Sequence, residues 1–202
     1  MSNRKSNTTS RSNVKAPKYS VIYCDPPWHY KARGMFNKGI NHSSASKIYK
    51  TIKTDKLKTF PMKDIMARNS LLFMWVTSPL LADGIELIKA WGLKFATVGF
   101  VWNKVRKTPG SYTVSQCELV LIAKNGKIPV NRGARNIRQY LEETRTDHSR
   151  KPSEIRDRIK KMFPRHKKVE LFARQRCQGW DAWGNEVRSN RNLTKYLRTK
   201  GW

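Results

Sequence analysis

The chain has 202 residues, with 42 Lys and Arg against 14 Asp and Glu, a formal net charge of +28. Seven tryptophans and several apolar runs exclude a disordered chain and supply one domain with a real core. The charge points to a polyanionic partner, nucleic acid above all, held through phosphate contacts and counterion release, and leaves a purely binding, ribosome-like protein open.

Residues 1–17 (MSNRKSNTTSRSNVKAP) carry no acid and no apolar period. They read as a disordered basic arm that adds non-specific affinity for nucleic acid, or as no more than a solubilising tail. A strand is predicted at 19–24, followed by a polar stretch over 29–48 and a helix over 54–67 with Thr54 as its N-cap. SLLFMWVT (70–77) is a continuous apolar run, the pattern of a central strand buried on both faces. Next come a helix over 79–91 that ends at Gly92, a strand at 94–104, a strand at 116–124 and an NGK turn. Residues 125–150 are polar and irregular, with one short helix. A helix over 151–163 has Ile155, Ile159, Met162 and Phe163 at helical spacing and Pro152 at an early position. KVELFAR (168–174) closes the alternation as a strand. The folded body is placed at 18–188 and a basic tail at 189–202.

Strands alternating with helices imply a doubly wound, mostly parallel α/β sheet with helices on both faces. Ligands of such sheets bind beyond the carboxyl ends of the strands, where Asp25 and Arg174 are both placed. Cys24, Cys117 and Cys177 are widely spaced and form no CxxC pair, which argues against a disulfide framework or a metal site and suits a reducing cytoplasm. No apolar run reaches the ~18 residues that a membrane span needs.

DPPW (25–28) is the most informative stretch. A carboxylate before two prolines is what a plain strand terminator looks like. The four residues also suit a nucleobase amine, whose lone pair is delocalised into the ring. Asp25 accepts one N–H and the Pro26 carbonyl the other, which frees the lone pair; Trp28 offers a face for a flipped-out base. The electrophile would be the methyl group of S-adenosylmethionine.

DPPW resembles the signature of the adenine-N6 methyltransferase family typified by the catalytic subunit of the eukaryotic mRNA adenosine-N6 methyltransferase, with bacterial and phage DNA-acting relatives. IYKTIKTDKL (48–57), LLFMWVTSPLLADGIELIKAWGLKF (71–95), YTVSQCELVLIAKNGK (112–127), HSRKPSEI (148–155), ELFAR (170–174) and WDAWGNEV (180–187) resemble further family segments, in family order.

The resemblance implies a Rossmann-like, S-adenosylmethionine-dependent fold in permuted order, with DPPW ahead of the cofactor strand. It implies that Asp25 and Pro26 hold the target amine while Pro27 and Trp28 line the base pocket. Asp25, Lys151, Arg174, Asn185 and Glu186 would bind the cofactor: Lys151 its carboxylate, Arg174 its ribose and carboxylate side, and Asn185 with Glu186 the ribose hydroxyls. Tyr49 and Glu118 are implied on the substrate side, and His148 is read as structural. Two departures stand out. Glu186 replaces a Gln of the eukaryotic relatives, and Ala173 in ELFAR stands where relatives often have Gly.

The expectation is a cytoplasmic adenine-N6 methyltransferase, monomeric or homodimeric, acting on double-stranded DNA without metal or membrane. RNA as the polymer, cytosine-N4 as the amine and a catalytically inactive basic binding module are the rivals.

Overall fold

The computed structural model describes residues 14–29, 51–108, 112–145 and 150–202, the side chains of 106–108 apart. The arm up to 13, most of the 29–48 stretch, Tyr49 and His148 lie outside the described residues.

Among the described residues seven strands form one sheet: β1 (Tyr19–Cys24), β2 (Met66–Thr77), β3 (Lys94–Thr108), β4 (Ser115–Asn125), β5 (Tyr140–Glu142), β6 (Lys168–Leu171) and β7 (Asp181–Trp183). Their order across the sheet is β5-β3-β4-β2-β1-β6-β7. β1 pairs in parallel with both β2 and β6, and β6 pairs in parallel with β7. β4 runs antiparallel to β2 and β3, and β5 runs parallel to β3. Six strands therefore share one direction and β4 opposes them. The inversion matters for function, because it brings the amino end of β4 to the rim where the parallel strands end.

Alternation along the central strands divides the core into two layers. Ile22, Cys24, Leu72, Met74 and Val76 belong to the larger layer, with helices α1 (Thr54–Lys58), α2 (Met62–Ile65), α3 (Leu81–Ala90) and α5 (Arg191–Thr199). Val21, Tyr23, Leu71, Phe73 and Trp75 belong to the other, which α4 (Ser153–Met162) covers with Ile155 and Ile159. β1 and the apolar run of β2 are buried almost throughout, as central strands are.

Several boundaries differ from the sequence expectation. The helix over 54–67 is two short helices separated at Pro61, which lacks the amide hydrogen that a continuous helix needs. Met66 already belongs to β2, and Thr54 is not a cap; Lys53 occupies that position without a side-chain bond. Pro152 is the N-cap of α4 rather than a helical residue. Among the described residues of 125–150 there is no helix, only the three-residue strand β5, with Leu141 its one buried side chain. β6 stops at Leu171 because Phe172 turns the chain with φ +57°. Gly92 behaves as expected: at φ +68° it closes α3 in the left-handed region.

Residues 189–202, set apart in the sequence as a basic tail, contain α5. Leu193 and Leu197 are fully buried, Asn190 accepts from the Leu193 amide at 3.0 Å, and the Tyr196 hydroxyl donates to Asp64 Oδ2 at 2.6 Å. Val14 and Ala16, placed in the basic arm, pack against the larger core layer. Among the described residues no helix is long and apolar enough to cross a membrane, and no three His, Cys, Asp or Glu residues gather as a metal site would require.

Candidate active site

A pocket of about 780 Å3 opens at the carboxyl ends of β1, β2, β6 and β7. Asp25 follows β1 directly. The Pro26 carbonyl accepts from the Trp28 amide at 2.8 Å, a tight turn that leaves its second lone pair available. The Pro27 carbonyl accepts from the Ile52 amide at 2.8 Å, and Trp28 Nε1 donates to the Trp75 carbonyl at 3.3 Å. The indole of Trp28 is thus fixed as both core and pocket wall, only 6% exposed.

Lys151, two residues ahead of α4, reaches into the pocket between two carboxylates. Its Nζ lies 3.3 Å from Asp25 Oδ2 and 3.0 Å from Glu118 Oε2, and stands 5.4 Å from the centroid of the Trp75 ring. Glu118 Oε1 lies 3.4 Å from Lys104 Nζ. Two acids and two lysines alternate, so the cluster carries no net charge although its side chains are between 7% and 24% exposed. Sequence reasoning supplied Lys151 with an anion from the cofactor; the folded chain supplies two of its own.

The pKa shifts follow from this packing. Burial raises the Asp25 carboxyl above its ordinary value, and Glu118 adds to the rise while Lys151 and Arg174 oppose it. Burial works against charge on Glu118 too, but Lys151 and Lys104 outweigh it and hold the carboxyl below the ordinary range. Burial also disfavours the Lys151 ammonium, yet the two carboxylates prevail and raise it. The charged form of Lys151 is therefore secure.

On the far side, Arg174 lies beyond β6 and Glu186 beyond β7, with Arg174 Nε and Glu186 Oε1 3.9 Å apart. Asn185 and Glu186 are exposed at the lip of the pocket. The small residue needed where these loops cross is Gly184. A β-carbon there would overlap the Ala173 carbonyl oxygen, while the Ala173 amide donates to the Trp183 carbonyl at 3.0 Å. Gly184 is thus required by the Ala173 backbone, whatever side chain position 173 carries.

Asp25, Pro26, Pro27, Trp28, Glu118, Lys151, Arg174, Asn185 and Glu186 thus line one pocket although they come from distant parts of the chain. Lys104, Trp75, Phe172, Trp183 and Trp202 were missed. Trp75 lies in an apolar run that reads only as core, Phe172 and Trp202 lie just beyond β6 and α5, and Trp183 ends a three-residue strand, so no period marks them. The arrangement can hold an amine between a carboxylate and a carbonyl, seat a flat ring on an aromatic wall and pair a ligand carboxylate with a cation.

The family model described as MT-A70 matches residues 19–186. The chain is 46% identical to the Type II methyltransferase M.MunI of Mycoplasma sp over 186 residues, covering 86% of this chain and 80% of that one. It is 28% identical to the N6-methyladenosine RNA methyltransferase MTA1 of Pyricularia oryzae, over 85% of this chain and 48% of the other. It is 27% identical to the N(6)-adenine-specific methyltransferase METTL4 of Homo sapiens, over 84% of this chain and 37% of the other.

Proposed function

Since the chain belongs to the MT-A70 family, we propose that it transfers a methyl group from S-adenosylmethionine to the N6 amino group of adenine, with DNA as the polymer. The observation that carries this is the joining of Asp25 and Lys151, 3.3 Å apart, in one pocket with Arg174, Asn185 and Glu186.

The residues present fit the cofactor. The pocket volume lies within the range of small-molecule sites. Lys151 and Arg174 suit a carboxylate, Asn185 and Glu186 a ribose diol, and the aromatic side chains a purine. Bound there, S-adenosylmethionine supplies an electrophilic methyl group.

The rest is the work of the chain. Asp25 accepts one N–H of the target amine and the free lone pair of the Pro26 carbonyl accepts the other, which turns the nitrogen lone pair out of the ring. Trp28 and Pro27 flank the flipped base. Lys151 would pair with the cofactor carboxylate and stands within reach of Asp25. Asp25, which accepts an N–H of the target amine, would take the proton released by the methylated nitrogen, and the raised proton affinity of that buried carboxyl suits the task.

DNA is favoured by the higher identity to the bacterial Type II enzyme than to the RNA methyltransferase, 46% against 28%. The net charge of +28 fits either polymer.

The assay incubates purified protein with isotope-labelled cofactor and duplex DNA, single-stranded DNA or RNA, then digests the polymer and identifies the labelled base by mass spectrometry. N6-methyladenine from duplex DNA is the expected product. Labelled RNA alone, or N4-methylcytosine, would overturn the assignment. Asp25→Asn should keep the fold and lose about 10²-fold or more in rate, since its NH2 donates where an acceptor is required.

A further inference from the structure

One wall of the pocket comes from outside the stretch that the family model matches. Trp202 lines the same cavity as Asp25, Arg174 and Asn185, whereas the match ends at residue 186. Its ring centroid lies 5.0 Å from Phe60, 6.3 Å from Trp183 and 6.5 Å from Phe172, each at a steep interplanar angle. Lys56 Nζ stands 4.8 Å from the Trp202 ring centroid and donates to the Gly201 carbonyl at 3.1 Å. The Trp202 amide donates to the Leu197 carbonyl at 3.0 Å, which ties the residue to the end of α5. Among the described residues the buried indole Nε1 has no hydrogen-bond partner. The ring is positioned by its contacts with Phe60, Phe172 and Trp183 and by the backbone bond to Leu197. What the placement supplies is an aromatic surface in the pocket.

The pocket has two sides. The acid–lysine cluster comes from the end of β1, from β4 and from the approach to α4, whereas the ends of β6 and β7 bring Phe172 and Trp183, joined by Trp202, with Arg174 and Glu186 at their lip. A ligand with a charged amino-acid half and a flat purine half fits that division. We propose that Trp202, with Phe172 and Trp183, forms the wall that takes the purine of the adenosyl cofactor, and that Trp202 sets affinity for the nucleoside half. The proposal rests on the reading of this pocket as an adenosyl site.

Calorimetry with S-adenosylhomocysteine and with adenosine separates the two halves. Trp202→Ala should weaken both ligands by roughly 5- to 100-fold, the scale of losing one base–aromatic stack. Lys151→Ala should weaken S-adenosylhomocysteine by a larger factor than adenosine, because adenosine lacks the carboxylate. Trp202→Phe should retain most of the affinity for adenosine, and Trp202→Leu should lose as much as the alanine variant. If Trp202→Ala fails to fold by circular dichroism, the Leu and Phe variants decide the matter. Equal adenosine affinity in Trp202→Leu and Trp202→Phe would overturn the proposal, since filling volume would then suffice. So would unchanged affinity in a folded Trp202→Ala. A wild-type protein that binds neither ligand would overturn the adenosyl reading itself, an outcome distinct from binding that ignores Trp202.

Discussion

Lys151 acts on two neighbours at once, and removing it has consequences beyond the loss of a cation. Asp25 and Glu118 would be left as close carboxylates in a confined space, each raising the proton affinity of the other. Glu118 is held below its ordinary value, so its pairing stabilises the fold above the ordinary carboxylate range and is lost as pH falls through the depressed value. Lys151 is raised, so its contribution is complete below the ordinary lysine range and lost only as pH climbs through the raised value. The Glu118–Lys151 pairing therefore supports the fold from mildly acidic to mildly alkaline pH, while the raised Asp25 carboxyl subtracts from that support as pH climbs through its value. Lys151→Ala should cost up to about 3 kcal/mol of stability near pH 8, at the low end for a broken buried pair because the site is partly open. The loss should shrink toward pH 4, where protonation relieves the two acids. Thermal denaturation across that range checks it, and a pH-independent loss would show that packing against Trp75 outweighs the charges. Lys151→Ala should also raise the dissociation constant of S-adenosylmethionine by about 10- to 100-fold, the worth of one charge-assisted hydrogen bond.

At the scale of elements, α5 shows how charge can hide a helix. Its sequence RNLTKYLRT carries three basic residues, and that excess reads as a tail. The same nine residues place Leu193, Tyr196 and Leu197 on one face at helical spacing, behind an asparagine cap. The core contact decides between the two readings. Asn190→Ala should cost about 1 kcal/mol and lower the melting temperature by roughly 2–4 °C for a chain of this size. Leu197→Ala should cost about 2–5 kcal/mol, as truncation of a fully buried leucine does. Calorimetric melting of both variants tests this, and a separate tail would leave the transition unmoved. Gly184 sets the distance between the loops after β6 and β7 in the same way. Gly184→Ala drives a β-carbon into the Ala173 backbone and should lower both stability and cofactor affinity.

For the whole molecule, the net charge of +28 should act mainly through salt-dependent affinity. Because Val14 and Ala16 pack on the core, a deletion that spares the fold should stop at residue 13. It removes Arg4, Lys5 and Arg11. At ~0.9 per phosphate contact, the slope of log affinity against log salt on duplex DNA should become shallower by up to about 2.7. The methylated sequence should not change, because phosphate contacts position a protein without reading bases. Titrations at several salt concentrations, with sequencing of the methylated sites, check both halves. A shift in which adenine is modified would show that the arm reads a groove.

What the sequence determined by itself is chemistry that is local in the chain. DPPW at the end of a β-run, HSRKP before a helix and the continuous apolar strand at 70–77 are legible because neighbouring residues carry the whole signal. The doubly wound class follows from the alternation of elements. Only the tertiary structure decided how these pieces meet. The reversed direction of β4 brings Glu118 to Lys151, and no local pattern encodes the direction in which a strand enters a sheet. Gly184 packs on the Ala173 backbone across two loops, and Trp202 reaches a pocket built on Asp25 because α5 docks on the core. Those contacts depend on apolar burial summed over the whole fold, so residues far apart in the chain acquire their roles only when the core closes.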